Sequence, residues 1–257
     1  MAKGQVLGVI TARGGSKSIP FKNKRLFAGE PLASYSFRSA KASKHLTRIV
    51  VSTDDSEILA MATEAGIETL QRPKKLATDT STSLEVLQHA VRHYETHHEF
   101  RPDLIVTLQP TSPMRTGEDI DACIELQRRH KADSVVSVCV SEPHPSWLFR
   151  IENNATGTPV LVPCLSADLP EKTRRQDFDA VHKLNGAMVY VTTYDLLMHR
   201  GKIIGGTTIP YPMEAWASVD LDQPADWVVG EMIMENQAEI RRRIAEIESD
   251  RERRAKE

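Results

Sequence analysis

The chain has 257 residues, 40% of them apolar, with 33 Lys plus Arg against 35 Asp plus Glu and a formal net charge of -2. That length suits one large α/β domain, and the near balance of charge excludes a global pull toward nucleic acid or an anionic membrane, so any anion site is built locally. No apolar run approaches the roughly 20 residues of a bilayer span, and Met1 to Ile10 lack the sections of a signal peptide. A cytoplasmic protein is expected. Cys123, Cys139 and Cys164 are widely spaced and form no C-x-x-C pair, which points to buried structural thiols.

Val6 to Ile10 reads as a strand that runs straight into a basic loop, Thr11 to Asn23. There Gly14 and Gly15 sit among Arg13, Ser16, Lys17 and Lys22. Glycines let backbone N–H groups approach phosphate oxygens, and the cations add charge-assisted bonds, so the loop suits a polyphosphate. It is neither a P-loop nor a Rossmann fingerprint, and composition alone also fits a solvated basic turn. Pro31 opens a helix carrying Leu32, Tyr35 and Ser39, and Arg48 to Ser52 is the next strand. Asp54 with Glu57 resembles a capping box ahead of Ile58, Met61, Ala62 and Ala65, with Gly66 as the stop.

A helix from Ser83 carries Leu84, Leu87, Val91 and Tyr94 on one stripe, while His89, His93 and His97 mark its polar face. Leu104 to Leu108 is a strand, Thr116 precedes a helix with Ile120, Cys123, Ile124 and Gln127, and Ser134 to Val140 is a strand. This alternation predicts an α/β fold: a mainly parallel sheet flanked by helices. From Glu142 to Leu184 the pattern changes, with Pro143, Pro145, Pro159, Pro163 and Pro170 and an Asn153-Asn154 turn. A hairpin-rich insertion packed on the main domain or on a second subunit is expected there. Regular structure resumes at Ala187 to Val191, and Ala225 to Ile247 has helical spacing before a fraying tail, Arg251 to Glu257. Asp220 and Asp222 stand two apart; on a strand their carboxylates face one way and suit a magnesium ion, although an exposed D-x-D is an equally plain reading.

The loop from Thr11 to Asn23 resembles the signature of the acylneuraminate cytidylyltransferase family. Further blocks of that family follow in order: Val50 to Asp55, Arg72-Pro73 with Leu76 to Asp79, Leu108 to Arg115, Arg174 to Asp177, Asn185 to Ala187, and Ser218 to Asp222. The resemblance implies a Rossmann-like nucleotidyltransferase of one domain, 1–257, in which about 142–184 forms a dimerisation subdomain of a homodimer. It implies an enzyme joining CMP from CTP to a nine-carbon acidic sugar of sialic, legionaminic or pseudaminic type. Arg13, Gly14, Gly15, Ser16, Lys17 and Lys22 then face the triphosphate, and Asn23, Arg72 and Ser83 the nucleoside. Gln109, Arg175 and Lys183 contact the sugar, with Arg175 completing the partner's site. Asp220 and Asp222 hold Mg2+, and Arg13, Lys22, Asp220 and Asp222 carry the chemistry. The chain departs from the family where Phe178 to His182 replaces a proline-aromatic pair, and Met114 replaces a leucine. Two other readings stay open: transfer to a sugar 1-phosphate, and a catalytically silent nucleotide-binding module.

Overall fold

The computed structural model describes residues 4–165, 174 and 178–254. In chain order, β1 (Val6–Thr11) leads to a small hairpin, β2 (Leu26–Phe27) and β3 (Glu30–Pro31), then α1 (Leu32–Ala42), β4 (Arg48–Thr53), α2 (Ser56–Glu64) and β5 (Glu68–Gln71). α3 (Ser83–His98), β6 (Leu104–Leu108), α4 (Gly117–His130) and β7 (Ser134–Val140) follow. A second hairpin, β8 (Phe149–Asn153) and β9 (Pro159–Pro163), precedes β10 (His182–Leu184), β11 (Tyr190–Thr193) and β12 (Thr208–Pro212). Helices α5 (Pro224–Glu235) and α6 (Gln237–Arg254) end the described chain.

The main sheet runs β10-β7-β11-β6-β1-β4-β5, with β12 also on β7. β1 pairs in parallel with β4 and β6, and β4 with β5. A strand run that is apolar throughout, as Val6 to Ile10 is apart from its glycine, is what a sheet covered on both faces requires. Val6 and Ile10 join a core with Phe37 of α1, Ile58 of α2 and Ile120 of α4, while Leu7 and Val9 point the other way onto Leu87 and Val91 of α3. The chain steps from β1 out to β4 and β5, then returns to β6 on the other side of β1. The loops after β1 and β6 therefore part at their carboxyl ends, which opens a crevice at the switch point of the sheet.

Some expectations shift. The sheet is parallel around β1, but β11 lies antiparallel between β6 and β7, and β10 runs antiparallel to β7. The strand expected at Ala187 begins only at Tyr190, because Gly186 and Ala187 have φ of 74° and 54° and make a turn. His182–Leu184, the end of the expected insertion, is a strand of the main sheet. The Asn154 carboxamide ties the tip of the β8–β9 hairpin by accepting from the Thr156 and Thr158 N–H groups. The C-terminal helical stretch is two helices, parted at Asn236, whose side chain donates to Met232 O at 2.7 Å. Cys123 and Cys139 are buried, but Cys164 is exposed, since it follows a hairpin that lies outside the core. Among the described residues, no helix is long and apolar enough to cross a membrane.

Candidate active site

The crevice is a cavity of about 400 Å³, lined by the loop after β1, the segment between β5 and α3, the turn after β6, and Asp222. That volume is in the range of small-ligand sites. The basic loop is held open by specific bonds. Asn23 is buried and donates to Arg13 O at 2.8 Å, while its Oδ1 is buried without a partner. Lys24 returns the loop to α2 through Asp55 Oδ2 at 3.0 Å and Glu57 Oε1 at 2.7 Å. Gly14 donates its N–H to Asp54 at 2.9 Å, and a Cβ there would come within 2.8 Å of Asp55. Gly14 is thus a close-packing residue outside the lining, whereas Arg13, Gly15, Ser16, Lys17, Lys22 and Asn23 all line the cavity.

Asp55, one residue later than expected, is the N-cap of α2, accepting from the Glu57 and Ile58 N–H groups. Asp54 is spent on Gly14, so the capping role passes to its neighbour. Across the cavity, the buried Arg72 side chain is clamped by Ser52, with Nε to Oγ at 3.2 Å and Nη2 to O at 2.7 Å. Burial pulls its guanidinium down to about 10; the charge of Asp54 opposes that shift and Arg13 adds to it. Ser83 lies in the first turn of α3, which starts at a Thr82–Glu85 capping box, and it too lines the cavity. Sequence reasoning assigned no role to Thr78, Asp79 or Ser81, which also line it. Asp79 bonds Arg13 Nη1 at 3.1 Å and Lys17 Nζ at 2.6 Å.

The turn after β6 is fixed from beneath by Arg115, which is only 4% exposed. It donates to Gln109 O at 3.2 Å, Met188 O at 2.6 Å and the hydroxyls of Ser36 and Ser39. Burial lowers this guanidinium to about 9, with Asp119 opposing. Charge-assisted bonds to carbonyls and hydroxyls offset its desolvation and hold Gln109 at the cavity wall.

Asp220 and Asp222 do not lie on a strand. The Asp222 N–H donates to Asp220 O at 2.9 Å in a tight turn, because the fully buried Leu221 is drawn into the cluster of Phe27, Met188 and Trp227. The turn still couples the two acids. Burial raises the Asp220 carboxyl above the usual range and the Asp222 charge adds to this, while Thr111 and Lys22 oppose it. Asp220 Oδ1 is buried without a hydrogen-bond partner, and Asp222 is exposed. Lys22, itself 9% exposed, donates to Leu221 O at 2.8 Å and Asp222 Oδ1 at 3.1 Å. The basic loop and the acidic turn, 200 residues apart in sequence, are therefore bonded to each other. Lys183, exposed on β10, is not in the cavity wall, and Arg175 lies outside the described residues.

A doubly wound sheet with cations and acids converging at its switch point is the frame of a nucleotide-handling transferase, and the protein's relatives are of that class. The chain belongs to the cytidylyltransferase family, whose model matches residues 7–158. The likeness its motifs carry to the acylneuraminate branch is borne out by relatives. CMP-N,N'-diacetyllegionaminic acid synthase of Legionella pneumophila subsp. pneumophila is 34% identical over 90% of this chain and 97% of that protein. N-acylneuraminate cytidylyltransferase of Streptococcus agalactiae serotype V is 30% identical over 86% of the chain, and N-acylneuraminate cytidylyltransferase A of Danio rerio 31% over 88%. The chain spans about half the length of these last two, 51% and 50%. Among solved structures, a CMP:2-keto-3-deoxy-manno-octonic acid synthetase complexed with CTP superposes with a TM-score of 0.65 at 16% identity, covering 91% of this chain and 99% of that one. A cytidylyltransferase from Leptospira borgpetersenii gives 0.54 at 15% identity, covering 91% and 96%. At those identities the likeness is one of fold.

Proposed function

We propose that this enzyme transfers CMP from CTP to the anomeric hydroxyl of a nine-carbon acidic sugar of the sialic or legionaminic type, releasing pyrophosphate. The observation that carries this reading is the single cavity walled by Arg13, Lys17, Lys22, Arg72 and Gln109 and closed by Asp222, which Lys22 bonds directly. In the reaction the sugar's C2 oxygen attacks the α-phosphorus, the bond to the bridging oxygen of the β-phosphate breaks, and the hydroxyl proton leaves to a base. Arg13, Ser16, Lys17 and Lys22, with the backbone at Gly15, hold the triphosphate and stabilise charge moving onto pyrophosphate, while Gly14, its N–H given to Asp54, shapes the loop from outside the cavity wall. Asn23, Arg72 and Ser83 meet the nucleoside, and Gln109 meets the sugar. Arg175 meets the sugar carboxylate in the cavity of a second copy, since a guanidinium matches a carboxylate with two parallel bonds, and Lys183 also contacts the sugar.

Asp220 and Asp222 would hold a magnesium ion. An orphaned buried Oδ1 beside an exposed carboxylate is a hard-oxygen donor set. Among the described residues no cluster of three or more His, Cys, Asp or Glu could hold a metal, so the remaining ligands would be phosphate oxygens and waters, the usual pattern for this ion. Bound there, such an ion would supply positive charge beside the phosphates and lower the pKa of a nearby hydroxyl.

The test is pyrophosphate release from CTP, UTP and GTP with a panel of nonulosonic acids and of sugar 1-phosphates, with and without magnesium. Release from CTP with an ulosonic acid alone is expected. Turnover with sugar 1-phosphates only would move the chain to another acceptor class, and CTP binding without turnover on any acid would make it a silent module.

A further inference from the structure

The cations assigned to the triphosphate already hold an anion of the chain's own. Arg13 Nη1 lies 3.1 Å from Asp79 Oδ1 and Lys17 Nζ lies 2.6 Å from Asp79 Oδ2, so one carboxylate spans the pair as a phosphate group would. Hydrogen bonding to Lys17 and then to Arg13 holds the Asp79 carboxyl below its usual range, so it is charged at neutral pH. The segment carrying it is a closed turn. Thr78 N donates to Ser81 Oγ at 3.1 Å, Ser81 N donates to Thr78 O at 3.2 Å, and Ser81 Oγ donates to Lys75 O at 3.1 Å. The turn ends at the Thr82–Glu85 capping box of α3. Asp79 thus projects from a self-supporting turn, and a change of its rotamer disturbs none of these bonds.

We propose that Asp79 is an internal competitor for the triphosphate: it occupies Arg13 and Lys17, gives way to a polyphosphate, and so sets which anions the site accepts. This rests on the reading that Arg13 and Lys17 bind the triphosphate. The side chains of Asp79 and Lys17 are 49% and 80% exposed, and ion pairs that wet are weak and readily exchanged. A singly or doubly charged anion gains little by displacing a carboxylate of equal reach. A triphosphate carries enough charge to take Arg13, Lys17 and the buried Lys22 together, and so outcompetes it. The same carboxylate is at hand to reclaim the cations as pyrophosphate leaves, which favours product release.

The measurement is calorimetric titration of pyrophosphate, orthophosphate and CTP into the magnesium-loaded protein and its Asp79→Asn, Asp79→Glu and Arg13→Ala/Lys17→Ala variants, beside steady-state kinetics. Asp79→Asn is expected to bind pyrophosphate about tenfold tighter, the scale of two exposed ion pairs removed from the competition. Orthophosphate, a poor ligand of the parent, then becomes a measurable one. The KM for CTP falls in step and kcat does not rise, while Asp79→Glu behaves as the parent. Unchanged or weaker pyrophosphate binding in Asp79→Asn overturns the proposal, and weaker binding would mean that Asp79 works with the nucleotide. Loss of pyrophosphate binding in the Arg13→Ala/Lys17→Ala variant keeps the underlying site reading alive in that event; unaltered binding there overturns both.

Discussion

Gly186 has φ of 74°, and a Cβ on it would fall 2.3 Å from the carboxylate carbon of Asp220. The left-handed backbone and the close approach both demand glycine, since a side chain in that region costs roughly 1–2 kcal/mol before any clash. Gly186→Ala is therefore expected to lower stability by about 1–3 kcal/mol and turnover by more than tenfold, because relief of the clash pushes Asp220 out of place. Urea denaturation beside kcat at saturating magnesium checks it; a stability loss with full turnover would detach Asp220 from the chemistry. Asp222→Ala is the complementary case. Its exposed side chain contributes little to packing but partners the buried Lys22, so stability is expected to fall by no more than about 1 kcal/mol while kcat falls a hundredfold or more. Near-parental rates would remove the metal role. At this scale the sequence was legible where chemistry is local: Arg13, Lys17, Lys22 and the acidic pair stand out as residue types. Asp79 closes the Leu76 to Asp79 motif yet shows no role in the sequence, because its meeting with Arg13 depends on β5 and β1 flanking β4.

The start of α2 shows how elements set the site. Asp55 caps the helix, bonds Lys24 at 3.0 Å and packs on Gly14, so one side chain fixes the helix end and both arms of the basic loop. Asp55→Ala is expected to cost about 1–2 kcal/mol, a cap plus a partly buried ion pair, and to raise the KM for CTP as the loop loosens. Bonds to Lys24 and to the Ile58 and Glu57 N–H groups outweigh burial and hold the Asp55 carboxyl below its ordinary 3.8. A depressed carboxylate stabilises the fold fully above that value and loses its contribution as pH falls through the lower, folded value. The gap in urea midpoint between parent and variant should therefore be full at neutral pH and shrink below about pH 3.8. A gap that widened in acid would contradict the assignment. The starts of α1 to α5 were readable in the sequence to within a residue because caps and helix-opening prolines are chemically distinctive, whereas the start of α6 at Gln237 was not. The slip from Asp54 to Asp55 arose because a loop 40 residues away claims the first carboxylate. Strands β10 and β11 were harder to read. They are short and follow turns, and only the partners β6 and β7 define them.

Across the whole molecule, the sheet and its helices account for the cavity, but the β8–β9 hairpin is left with apolar side chains in water. Ile151 and Leu161 are cross-strand partners, so they face the same way, and they are 76% and 64% exposed. Leu148, Val160 and Leu165 nearby are exposed as well. An isolated two-stranded hairpin with an uncovered apolar pair is marginal in water, and packing on a second copy of this chain would stabilise it. In the proposed homodimer the second copy would cover this face, and Lys183, exposed on β10, would be free to meet the sugar there. Ile151→Asp places a charge in the middle of that face without touching the core. The expected outcome is a dimer that dissociates in sedimentation equilibrium, with CTP binding within about twofold of the parent and turnover on the sugar reduced tenfold or more, as a desolvated charge at an interface centre is costly. Sugar turnover that tracks the dimer fraction supports completion of one site by the other subunit, whereas a fully active monomer would confine every catalytic group to a single chain.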